Sequence, residues 1–223
     1  MALSPYIDTH PLARERAQLL ESALPNIVFD GWSSATLAQA ARDTGLSDDA
    51  VAAAFPNGGI DALTLFLHHA DAATESAIAA LPLTTLKIRQ KIEEAVMARL
   101  DWALPHREAV RSGLVLLSSP FHASVGLKSL YDTTDTIWHA IGDRSTDMNF
   151  YSKRALLAGV YSSTVLVWLD DHSENMSTTR QFLQHRIADV MKIETGKQWL
   201  KTQWARFTPA SLRATTSSTR RSS

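Results

Sequence analysis

Apolar residues recur at three- and four-residue spacing along most of the chain, and few alternating runs occur. That pattern predicts an all-α protein of about ten helices. The first helix is expected over residues 12–29, with Leu19, Leu20, Ala23, Leu24 and Ile27 on one face. Ser33 or Ser34 caps a short second helix that ends at Gly45, a residue suited to the left-handed position after a helix. Ser47 caps a third, with Asp48 and Asp49 in its first turn, where the helix dipole favours acids. Phe55-Pro56-Asn57-Gly58-Gly59 reads as a turn. Further helices are expected over 60–80, 84–104, 107–117, 121–142, 149–170 and 178–193. Gly196 is expected to interrupt the pattern before a last amphipathic segment, 197–207.

The composition, 45% hydrophobic and 20% charged, is that of a globular chain. With no cysteine, disulfides, thiolate metal sites and cysteine nucleophiles are excluded. The longest uncharged apolar run, residues 155–169, falls short of the ~20 residues that span a bilayer. The first residues lack a basic segment followed by an apolar one, so no cleaved signal or transit peptide is expected.

The formal charge of -1 conceals an asymmetry. Residues 197–223 hold six basic residues and no acid, which leaves 16 basic and 23 acidic residues in 1–196. An acidic body does not suit nucleic acid, whereas a basic tail suits an anionic membrane surface.

No catalytic motif is present: neither a glycine-rich phosphate loop nor a nucleophile elbow nor an H-E-x-x-H zinc motif occurs. No glutamate has a histidine three positions later, as a carboxylate-bridged di-iron bundle would require. His68-His69 is the only adjacent histidine pair. No residue is assigned catalysis, metal binding or a cofactor, and the chain is expected not to be an enzyme.

The run from Ala35 to Ser47, with Ala40 and Ala41 at the helix crossing, Gly45 in the turn and Leu46 as a core plug, resembles the helix-turn-helix of the TetR transcription-regulator family, as do Phe55 and Leu63 beyond it. The reading helix departs from that family. Asp48-Asp49-Ala50-Val51-Ala52-Ala53-Ala54 offers two acids and no donors to a phosphate backbone, and Gly58-Gly59 replaces the family's lysine. Residues 33–57 carry one Arg against three Asp. A helix-turn-helix retained as scaffold is therefore expected, with no nucleic-acid partner.

Asp147-Met148-Asn149-Phe150-Tyr151-Ser152-Lys153-Arg154, together with Asp135-Thr136-Ile137-Trp138, Trp168-Leu169-Asp170-Asp171 and Phe182-Leu183-Gln184-His185-Arg186-Ile187, resembles the accessory lipid-binding family of ubiquinone biosynthesis, that of the ninth coenzyme Q biosynthesis protein. The resemblance covers about residues 12–197. It implies a TetR-like fold that binds isoprenoid lipid instead of DNA and presents a ubiquinone precursor to a di-iron demethoxyubiquinone hydroxylase. It also places the hydroxylase-docking patch at Asp135, Ile137, Asp147, Phe150 and Tyr151. An aromatic pair ringed by carboxylates suits such an anchor.

The residues themselves agree in part. Leu157, Val160, Tyr161, Thr164 and Trp168 form a stripe at helical spacing, and Leu114, Leu117, Phe121, Leu127, Tyr131 and Trp138 could supply a facing wall for an isoprenoid quinone or phospholipid. A close-packed core gives the same periodicity. In the 197–207 segment, Trp199, Leu200, Trp204 and Phe207 share one face, edged by Lys197, Lys201 and Arg206. This is the pattern of an interfacial membrane helix.

The expected organisation is one TetR-like lipid-binding domain over 1–196, with a degenerate helix-turn-helix part over 12–80 and a long-helix part over 84–194. A membrane-binding helix over 197–208 and a disordered tail over 209–223 follow it. A homodimer is allowed. The expected location is cytoplasmic and peripheral to the inner membrane in a bacterium, or the matrix side in a mitochondrion. The alternatives are a TetR-type regulator with an apolar effector and a scaffold without ligand.

Overall fold

The computed structural model describes residues 6–143 and 148–207, with side chains described for 6–143 and 150–192. It is all-helical. The elements are α1 (Ala13–Ala23), α2 (Ile27–Asp30), α3 (Ser34–Thr44), α4 (Asp48–Ala54), α5 (Gly59–Ala79), α6 (Ile88–Ala103), α7 (Arg107–Leu117), α8 (Ala123–Ala140), α9 (Met148–Leu169) and α10 (Ser177–Phe207).

The caps follow the sequence. Ser33 Oγ accepts the Thr36 amide at 3.2 Å, and Ser47 Oγ accepts that of Ala50 at 3.2 Å. Gly45 ends α3 in the left-handed region at φ 71°. Three boundaries differ from expectation. The helix expected over 12–29 is two, because Pro25 has no N–H to continue the α1 ladder. The helix expected from residue 84 begins at Ile88, because Thr85 turns back to the Pro82 carbonyl through both its amide and its hydroxyl. Gly196 does not interrupt the last helix: the α10 backbone is continuous to Phe207, and a mid-helix glycine costs only about 1 kcal/mol.

Two cores lie along α5. The first joins α1–α4 to the early turns of α5 through Leu19, Leu20, Ile27, Leu37, Phe55, Leu63 and Phe66. The second joins the end of α5 to α6, α8, α9 and α10 through Ile78, Val96, Leu100, Ile137, Leu157, Trp168 and Leu183. Trp102 and Val110 pack against both, so α6 and α7 tie the helix-turn-helix part to the long-helix part. The α4–α5 turn is tight. A Cβ added at Gly59 would stand 2.0 Å from the Trp32 carbonyl oxygen, so no larger residue fits there.

Candidate functional site

Helix α9 separates two grooves. Successive helical residues point about 100° apart, so neighbours on one helix can serve different sites. Val160 faces one groove and Tyr161 the other. The Val160 groove has a volume of about 620 Å³ and runs between the start of α6, the end of α8, α9 and α10. Trp138, Ile141, Leu157 and Ile187 line it, with Arg89, Lys91 and Lys153 at its edge. The Tyr161 pocket is smaller, about 240 Å³, and almost wholly apolar. Leu63 and Leu67 of α5, Val110, Leu114 and Leu117 of α7, Leu130 of α8 and Val165 and Leu166 of α9 form its walls. Leu166 is 62% exposed and Leu114 36%, so the pocket opens to solvent through leucines.

The polar part of that pocket is a buried charge network. Arg99, on α6, is 2% exposed. Its Nη1 donates to Asp71 Oδ1 at 2.5 Å, and its Nε donates to the Tyr161 hydroxyl at 2.8 Å. Burial pushes the Asp71 carboxyl up, while the Arg99 charge and a hydrogen bond with Thr133 oppose that. Burial also opposes the charge on Arg99, but Asp71 and Tyr161 outweigh it and hold the guanidinium protonated. Burial lowers the pKa of nearby His68, disfavouring its charged form.

A second network lies at the junction of α8 and α9. Arg154, 2% exposed, ion-pairs with Asp135 at 2.5 Å and lies over the Phe150 ring, 3.3 Å from its centroid. Lys153 ion-pairs with Asp143 at 2.7 Å and stands over the Trp138 ring. Tyr151 is 66% exposed beside the half-buried Phe150.

The structure distributes the expected lipid residues among several environments. Leu114, Leu117 and Tyr161 meet at one pocket, and Trp138, Leu157 and Val160 at the other. Thr164 and Trp168 line neither, because both are fully buried in the second core. Phe121, Leu127 and Tyr131 are exposed. Of the expected docking residues, Asp135 and Phe150 are tied to Arg154 and Tyr151 is open to solvent, whereas Ile137 is fully buried and presents no surface. Asp147 lies outside the described residues, as do the side chains of Trp199, Leu200, Trp204 and Phe207. Sequence reasoning missed Arg99 and Asp71, which lie on different helices, 28 residues apart, and belong to no motif. Among the described residues no group of three or more His, Asp or Glu could hold a metal, and no single helix is long and apolar enough to cross a membrane.

The helical order, with its helix-turn-helix packed against a long-helix part, defines a TetR-regulator-like fold. The crystal structure of a TetR transcriptional regulator from Nitrosomonas europaea matches 78% of this chain and 97% of its own at a TM-score of 0.65, and at 19% identity that likeness establishes the fold alone. Within that class, residues 123–194 match the sequence profile of the COQ9 family. It is 32% identical over 189 residues to the rat protein named "Ubiquinone biosynthesis protein COQ9, mitochondrial", an alignment covering 81% of this chain and 60% of the relative. The human protein of the same name is 33% identical over 192 residues, covering 81% of this chain and 59% of the relative. The chain thus spans about 60% of the length of the curated relatives it matches.

Proposed function

We propose that this chain is a non-catalytic accessory protein of ubiquinone biosynthesis. It binds an isoprenoid quinone precursor at a membrane surface and presents it to the demethoxyubiquinone hydroxylase. The observation that carries the reading is the apolar pocket between α5, α7, α8 and α9, which opens through exposed leucines instead of closing as a core. An opening of that kind suits a ligand with a long hydrocarbon tail, because the tail's apolar surface gains about 25 cal/mol per Å² on leaving water. The names of the relatives support the pathway. Tyr151, exposed beside the Arg154–Phe150 stack, supplies an aromatic anchor for the hydroxylase. The relatives' names place those proteins in mitochondria; this chain would act at the matrix side of the inner membrane in such a cell, and at the cytoplasmic face of the inner membrane in a bacterium.

The acidic first turn of α4 argues against the regulator reading: Asp48 and Asp49 are exposed where a DNA phosphate would approach. Solvent extraction of the purified protein followed by mass spectrometry tests the proposal. Recovery of a prenylated quinone, its precursor or a phospholipid in stoichiometric amount is expected. Protein that carries no lipid and takes none up from vesicles would overturn it.

A further inference from the structure

We infer that the Tyr161 hydroxyl, held by Arg99, is the anchor for the polar ring of the bound lipid, and that the pocket selects an uncharged hydrogen-bond acceptor, with the prenyl tail leaving past Leu114 and Leu166. The inference rests on the lipid-binding reading and names the part of the ligand that this pocket takes.

The argument begins with donors. Tyr161 Oη accepts the Arg99 Nε proton, so its own proton is directed away from Arg99. Among the described residues no acceptor takes that proton. Arg99 Nη1 is engaged by Asp71, and among the described residues Nη2 meets no acceptor. Both residues line the pocket. Thus a cavity with leucine and valine walls presents hydrogen-bond donors in one place. A ligand acceptor placed there satisfies a donor that a purely apolar ligand would leave unmet, and unmet donors in apolar surroundings are costly.

Charge decides which acceptor. The Arg99 guanidinium is already balanced by Asp71 at 2.5 Å, and burial disfavours the charged form of nearby His68. Lys128, on the same helix as Thr133, is paired with Asp132. An anionic head brought into the pocket would therefore meet no uncompensated cation, and burying it would carry the full desolvation cost of a charge. A quinone carbonyl or phenolic oxygen brings no such cost. The other groove differs, since Arg89 and Lys91 at its edge pair with no acid among the described residues.

Size points the same way. About 240 Å³ lies below the range of pockets that enclose a drug-sized ligand, and suits a substituted ring with little of its chain. The tail must then exit past Leu114 and Leu166, and the helices that form the mouth carry further exposed apolar residues: Val115 on α7, Leu127 on α8 at 69% exposure and Phe121 just before α8 at 90%. Arg99 acts as a positioning residue, fixing the tyrosine through its Nε.

The test uses the full chain and three probes sharing one short prenyl chain: a benzoquinone, the bare hydrocarbon and the diphosphate. Binding is followed by tryptophan fluorescence, and fold and oligomeric state by circular dichroism and light scattering. Wild type is expected to prefer the benzoquinone. Tyr161→Phe, which keeps the ring and removes the hydroxyl, is expected to weaken benzoquinone binding about three- to tenfold and to leave the hydrocarbon unchanged. Leu114→Trp, which narrows the mouth, should weaken both. Undiminished benzoquinone binding by Tyr161→Phe overturns the anchor while leaving lipid binding intact. An equal loss for the diphosphate, or a preference for it in wild type, overturns the selection of an uncharged head. Wild type that binds no probe, including a dimer whose second copy covers the mouth, overturns both this inference and the lipid-binding reading.

Discussion

Arg154 sits over Phe150, its guanidinium carbon 3.3 Å from the ring centroid, while its Nε is tied to Asp135. The aromatic pair on α9 is therefore divided in role. Phe150 covers a nearly buried cation, and Tyr151, 66% exposed, is the ring available to a partner. Tyr151→Ala is expected to abolish capture of the hydroxylase with the thermal midpoint unchanged. Phe150→Ala is expected to cost about 0.5–2 kcal/mol of stability through the lost cation–π contact. Pull-down with calorimetry checks both. Capture retained by Tyr151→Ala would move the docking patch elsewhere.

The turn into α10 gives the fold an acid-sensitive point. Asp171 is buried and accepts four hydrogen bonds, from the Ser173 amide at 2.8 Å and hydroxyl at 2.5 Å and from the Thr179 amide at 2.8 Å and hydroxyl at 2.6 Å. Burial alone would raise its carboxyl, but these bonds outweigh burial and hold it well below the usual carboxylate range. A group whose folded pKa is depressed contributes stability above its unfolded value, about 3.9, and loses it as pH falls toward the folded value. Asp171→Asn should lower the thermal midpoint at neutral pH. It should also flatten the loss of stability between about pH 5 and about pH 2. Parallel acid curves for mutant and wild type would remove Asp171 as the cause.

Gly59 fixes the α4–α5 corner by close approach to the Trp32 backbone. Gly59→Ala is expected to destabilise by about 1–3 kcal/mol, because backbone on both sides must move. Asp48→Lys with Asp49→Lys should cost only about 0.3–1 kcal/mol at each position, through lost favourable interaction with the helix N-terminus. Under the lipid-binding proposal that double variant should retain its lipid, since neither acid lines either groove beside α9. Chemical denaturation and lipid extraction measure the two effects. A large loss of lipid would show that the helix-turn-helix part takes part in binding.

What could be read from sequence was local. Ser33, Gly45 and Ser47 mark helix ends because a cap acts within three residues of itself. The stripe on α9 was legible as helical but not as a site. Periodicity places Val160, Tyr161, Thr164 and Trp168 on neighbouring positions of one helix, yet α9 is packed on several sides. The same stripe therefore splits between two grooves and a core. The Arg99 network was not legible, because Asp71 is 28 residues away and Tyr161 is 62 residues away, and nothing local pairs them. Ile137 illustrates the converse: a resemblance marked it for docking, while its burial depends on how α8 is rotated against α6 and α9.

The continuity of α10 bears on the last prediction. Because the helical backbone runs from Ser177 to Phe207, the 197–207 segment extends a helix whose earlier turns are packed on α9 and α6. At helical spacing Trp199, Leu200, Trp204 and Phe207 fall on one side, with Lys197, Lys201 and Arg206 at its edges. Each basic residue near an anionic surface contributes about 1 kcal/mol, a share that salt weakens, whereas the apolar face is insensitive to salt. Trp199→Glu with Trp204→Glu is therefore expected to release the protein from anionic liposomes while the circular dichroism of the body is retained. High salt should release wild type only in part. Co-sedimentation with anionic and neutral vesicles makes the measurement. If the double variant sediments like wild type, or wild type ignores both kinds of vesicle, this end of α10 docks on protein and the membrane contact lies elsewhere.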